Sequence, residues 1–136
     1  MCKFGDIIVV NNYIGDDGKN IGRHSFVVID DEKGKIRGLE YDLVTNVISS
    51  IKDDNHRNKK LRYKENLELK DEDVISKYKS NKDSYIKADK LFFFNKSKLD
   101  YYLFGRISDD LLDKLMDLIE ELSKEDKLVN VIENIK

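Results

Sequence analysis

Two apolar runs, DIIVVN (6–11) and SFVVID (25–30), most tightly constrain what this chain can fold into. Each is a short stretch of β-branched and aromatic side chains closed by Asp or Asn, too short for a helix and suited to a buried strand. IRGLEYDLVTNVIS (36–49) reads as a longer strand, with Gly38 at a bulge. ENLELK (65–70) alternates like a half-buried strand, and SYIKADKLFFFN (84–95) and YYLFGRI (101–107) add further strands. The segment NYIGDDGKNIG (12–22) reads as a mobile polar loop, and DDEKGK (30–35) as a turn.

Helical periodicity is strong at one place only. Ser108 suits an N-cap, and Asp109 and Asp110 sit where the helix dipole favours anions. Leu111, Leu112, Leu115, Met116, Leu118, Ile119 and Leu122 then form one apolar face, which predicts a helix over 108–123. EDKLVNVIENIK, at the end, reads as a second short helix or a frayed tail. The pattern predicts a single domain over 1–136, mainly β with a C-terminal helix, as a small, partly open barrel.

Charge is balanced overall, with 25 Lys/Arg against 27 Asp/Glu, so only its distribution is informative. Residues 52–64 hold six Lys/Arg against two Asp, a local charge of +4, while residues 108–126 carry −6. The stretch 52–83 therefore reads as a basic insert, an exposed loop or short helical turn followed by a polar connection. Lys52, Arg57, Lys59 and Lys60 are its candidates for a phosphate backbone. A solvated lysine-rich loop is the plain alternative. The lone Cys2 makes no internal disulfide and fits a reducing cytoplasm. The apolar run near the N-terminus is far too short for a membrane span, so a cytoplasmic protein without membrane contact is expected.

No HExxH, CxxC, P-loop or GxGxxG occurs, so neither metal nor cofactor is expected. Metal-free cleavage of RNA by its own 2′-OH needs a proton acceptor, a cationic hold on the phosphorane oxygens and a proton donor for the leaving oxygen. GRHS (22–25) offers Arg23, whose guanidinium forks onto phosphate, and His24, whose pKa suits proton transfer. Neighbours on a strand point to opposite faces, so one of the two faces a substrate. Ser49 and Ser50 supply hydroxyls. Each also has an ordinary structural reading: a surface strand residue, a packed histidine, a strand terminus.

Several stretches together resemble a known family. FGDIIVVNN followed by a polar loop and GRHSFVVID resembles the opening of the PemK/MazF-like toxins of bacterial toxin–antitoxin systems. VTNVISSI resembles their next strand, and YIKADKLFFFNKSKL followed by FGRISDDLLDKLMDLIEEL resembles their last strand, linker and closing helix. The likeness covers roughly 4–51 and 84–122. Here the usual Gly-Arg-Arg/Lys-Pro entry reads Gly-Arg-His-Ser, and serine stands where the family has threonine.

The resemblance implies an SH3-like barrel, the plasmid-maintenance toxin fold, in a homodimer. It implies metal-independent cleavage of single-stranded RNA, leaving 2′,3′-cyclic phosphate and 5′-OH ends, held in check by a cognate antitoxin, more readily a protein than an RNA. The family's catalytic Arg falls on Arg23 and its catalytic Thr/Ser on Ser49, with Ser50 beside it. The loop between the first two strands, with Asn12, Tyr13 and Lys19, is implied to line the RNA groove. Two rival readings stay open: a non-catalytic SH3-like module binding RNA or protein, and a toxin of the same fold that poisons DNA gyrase.

Overall fold

The computed structural model describes residues 2–15, 17–76 and 83–136. In chain order the elements are β1 (Asp6–Ile14), β2 (Asn20–Asp30), β3 (Gly34–Ile36), β4 (Leu39–Tyr41), β5 (Leu43–Ser50) and α1 (Asp54–Leu61). There follow β6 (Asn66–Leu69), β7 (Val74–Ile75), β8 (Ser84–Lys87), β9 (Lys90–Phe94), β10 (Tyr101–Ile107), α2 (Asp109–Lys124) and β11 (Val129–Val131). Nine strands form one mostly antiparallel sheet in the order β11-β9-β5-β2-β1-β10-β7, with β8 beside β5 and β6 beside β8. Among the described residues the outer strands do not pair with one another, so the sheet is open and not a closed barrel.

The continuous IIVV and FVVI runs have a direct cause: both faces of the central strands are covered. Ile7, Val27, Ile29 and Ile48 form one core with Leu111, Leu112, Leu115 and Leu122 of α2. Ile8, Val10, Phe26, Val28 and Val47 form a second core on the other face, with Phe92 and Phe94 of β9 and Cys2. The predicted helix is present. The Ser108 hydroxyl oxygen accepts from the Leu111 N–H at 3.3 Å, and the leucine face lies against the first core.

Three expectations change. The 12–22 loop is mostly strand: β1 and β2 stay paired out to Ile14↔Asn20, and the Gly15 N–H donates to the Lys19 carbonyl at 2.8 Å just beyond them. Irregular register between Val10 and Ile14 hides this alternation in the sequence. Gly38 is not a bulge in a long strand but the second residue of a tight hairpin turn between β3 and β4. Arg37 (φ 50°) and Gly38 (φ 82°) both take positive φ, as a two-residue turn of the primed type requires. The tail is not frayed, and only its end is helical, as a single 3-10 turn at Glu133–Ile135. Val131, Ile132 and Ile135 are buried, and β11 lies parallel to β9 at Val129↔Lys90.

β7 is only two residues long, yet it places a wall beside the central strands. It pairs with β10 at Arg106↔Ile75, and the Ser76 hydroxyl donates to the Phe104 carbonyl. This close approach explains Gly105: a Cβ there would sit 2.6 Å from the Ile75 carbonyl oxygen and 2.7 Å from Ser76 Cβ. Gly105→Ala is therefore expected to push β7 off β10 and to destabilise the fold by about 1–3 kcal/mol. Urea unfolding measures this; an unchanged midpoint would mean that β7 yields without cost.

Candidate functional site

The β2–β5 ladder fixes which side chains meet. Val28↔Thr45 through Ser25↔Ile48 pair antiparallel, and the same register carried outward sets Arg23 opposite Ser50. On the other side of β2, Ser25 pairs with Val9, and Val9 pairs with Tyr102 of β10. Ser25, Val9 and Tyr102 thus form one row across three strands, with Arg23 two residues further along β2. The Arg23 guanidinium donates to the Tyr102 hydroxyl and lies 5.4 Å from that ring's centroid. A guanidinium over a phenol ring is an attractive, preorganising contact.

These residues line an open cleft of about 820 Å³. Ile7, Val9, Ile48 and Phe104 give it apolar ground, and Arg23, Ser50, Tyr102, Ser84, Lys70 and Asp71 give it polar groups. Lys70 and Asp71 arrive on the short turn that follows β6, and Ser84 arrives opposite Ser50 on β8. The constellation therefore holds two cations, one carboxylate and several hydroxyls. It can grip a phosphate, and it has a group that can accept a proton.

The two serines separate here. Ser50 lines the cleft, whereas Ser49, one residue back, points to the other face of β5, opposite Tyr85 on β8. Arg23 and His24 separate likewise. His24 borders the cleft, but its ring packs at 5.5 Å from Tyr13 and 5.9 Å from Phe26, on the side of β2 away from Arg23. Burial holds the His24 imidazole below its ordinary pKa, and the Lys87 charge adds to this; a hydrogen bond with the Ile48 backbone opposes them.

A histidine with a lowered folded-state pKa favours the unfolded chain once protons bind. The stability it supports is present above the unfolded value of 6.5 and is lost as pH falls below it. Urea unfolding at pH 7.5 and 5.5 is expected to show a loss that His24→Gln reduces. An identical pH dependence in the variant would remove His24 from the account.

The remaining candidates are scattered. Asn12 is a strut, donating to the Lys98 carbonyl at 3.0 Å and accepting from the Asp100 N–H at 3.0 Å. Tyr13 is buried in the second core, edge-on to Phe26 and Phe92. Lys19 is exposed in the β1–β2 turn, its N–H bound to Asp17. Lys52 is exposed just before α1, while Lys59 and Lys60 stand in its last turn. Arg57 is ion-paired with both Glu68 and Asp83, which ties α1 to β6 and to the entrance of β8.

Sequence reasoning did not single out Tyr102, Lys70, Asp71 or Ser84. Alternation in YYLFGRI carried a usable signal for Tyr102: Tyr101 packs on the second core and Tyr102 faces the other way. Lys70, Asp71 and Ser84 reach the cleft only because β6 and β8 pair beside β5, which no local pattern encodes. No helix among the described residues is long and apolar enough to cross a membrane. No protein-family model matches this chain, and no curated protein sequence matches it.

Proposed function

We propose that this chain is the toxin of a bacterial toxin–antitoxin pair, a cytoplasmic, metal-independent endoribonuclease with an SH3-like fold of the PemK/MazF kind. The observation that carries the reading is the meeting of Arg23 and Ser50, from two strands, in one open cleft beside Tyr102. The order of sequence stretches that resemble that family supports it independently.

In this reading single-stranded RNA lies along the cleft. Arg23 holds the non-bridging oxygens and strengthens its hold as charge grows on the phosphorane. Ser50 donates a hydrogen bond to the same phosphate. Asp71 accepts the 2′ proton as the 2′ oxygen attacks phosphorus, and the Tyr102 hydroxyl, whose oxygen accepts from Arg23, gives its proton to the departing 5′ oxygen. The products are a 2′,3′-cyclic phosphate and a 5′-OH. The active form is a homodimer, and an acidic protein antitoxin that covers the cleft keeps it silent.

Expression in a bacterium is expected to arrest growth, and Arg23→Ala to restore it. Unimpeded growth with soluble wild-type protein in the cell would contradict the proposal. A binding module that holds RNA without cutting it is the second reading. It is favoured by the ring of His24, the histidine that borders the cleft, packing on the far side of β2.

A further inference from the structure

Beyond Lys52, the five cations of the basic stretch 52–64 divide into two kinds. Arg57 is held by Glu68 and Asp83, and Lys64 by Glu125 and, at 3.3 Å, by Glu121. These are internal ties between elements. Among the described residues no carboxylate pairs with Lys59, Lys60 or Arg62. Arg62 contacts Tyr63, an aromatic side chain left 44% exposed, and Lys59 and Lys60 stand in the last helical turn just before it.

The geometry at Tyr63 is built. The Arg62 guanidinium lies 5.3 Å from the Tyr63 ring centroid and donates to its hydroxyl at 3.4 Å. The backbone beneath is pinned: the Asn66 side chain donates to the Lys60 carbonyl at 2.9 Å, and the Asn66 N–H to the Tyr63 carbonyl at 3.1 Å. Tyr63's phenol is drawn below its ordinary pKa by the Arg62 hydrogen bond and charge, with Lys59 and Lys60 adding to the effect. So the field at this corner is positive, and the ring stands in water with its stacking partner already in place.

We propose that Tyr63 and Arg62 form an accessory platform for single-stranded nucleic acid, stacking an unpaired base while Lys59 and Lys60 hold the flanking phosphates. The chemistry is that of single-strand recognition: a π surface accepts any base, and uncompensated cations follow the backbone. An acidic peptide would use the cations and leave the ring idle. The site lies outside the cleft, at the far end of α1 from Ser50. A helix of this length spans about 12 Å, roughly two nucleotides of extended strand. The inference takes from the proposed function only that the natural strand is RNA.

The chain has no tryptophan, so Tyr63→Trp makes a single fluorescent reporter at the platform. The probe is an oligodeoxythymidine of about twelve nucleotides, which lacks the 2′-OH and cannot be cut, beside an abasic strand of equal length. Quenching by the thymidine strand and not by the abasic one is the expected result. Tyr63→Ala is expected to weaken the thymidine strand about tenfold while leaving the abasic strand unchanged. Lys59→Glu with Lys60→Glu is expected to weaken both, and to lower the slope of log affinity against log salt by about 1.4. Unquenched fluorescence with the strand bound, or tighter binding of polyglutamate than of either strand at equal salt, would overturn the platform. Because this probe is never cleaved, a failure of the ribonuclease reading leaves the quenching intact, and a failure here leaves RNA cutting intact.

Discussion

Arg23→Ala is expected to slow RNA cleavage by about 10²- to 10³-fold, the loss typical of removing one donor aimed at a developing oxyanion. Arg23→Lys keeps the charge but not the fork, and an intermediate rate is expected. The serines give the sharper contrast. Ser50 lines the cleft and Ser49 does not, so Ser50→Ala is expected to cost about tenfold or more, the worth of one hydrogen bond to a charged group. Ser49→Ala is expected to stay within about twofold of wild type. The reverse order would show that the β2–β5 register beyond Ser25↔Ile48 does not carry the catalytic pair. Circular dichroism on each variant separates lost chemistry from lost fold.

Phe26→Ala is expected to produce the largest loss of stability of any single truncation, about 3–5 kcal/mol. Phe26 is fully buried at the centre of the second core, and its ring meets Tyr13, Phe92 and Phe94 edge-on at 5.1–5.5 Å. These partners come from β1 and β9, so one cavity would loosen three strands. Phe26 also neighbours His24, and its loss would let β2 shift under Arg23. Urea unfolding monitored by circular dichroism gives the value. A cost below about 1 kcal/mol would mean that this face of the sheet is not closed as described.

How far the sequence disclosed this protein follows from which forces are local. The unbroken IIVV and FVVI runs encode burial on both faces, and a strand needs little more to be legible. Ser108, the paired aspartates and the leucine spacing encode α2 for the same reason. Gly38 misled because its partner in the turn is Arg37, where Asn or Asp would have announced a hairpin. KLVNVIENIK misled because its few apolar residues become a strand only when β9 offers an edge.

The site was legible in part. Arg23 and the serine pair stood out by residue type and resemblance, but choosing Ser50 over Ser49 needs the register, a property of two strands together. The basic stretch was the least legible. Its cations look alike in sequence, and only Glu68, Asp83, Glu121 and Glu125, brought from other elements, separate struts from free charges.

In the proposed reading Arg23 works at a scissile phosphate in the cleft. The most direct measurement is the chemistry of RNA ends after incubation with purified protein in EDTA, wild type beside Arg23→Ala. New 2′,3′-cyclic phosphate and 5′-OH ends are expected with wild type, and their near absence with the variant. Intact RNA bound by both proteins, or equal cutting by both, would contradict it.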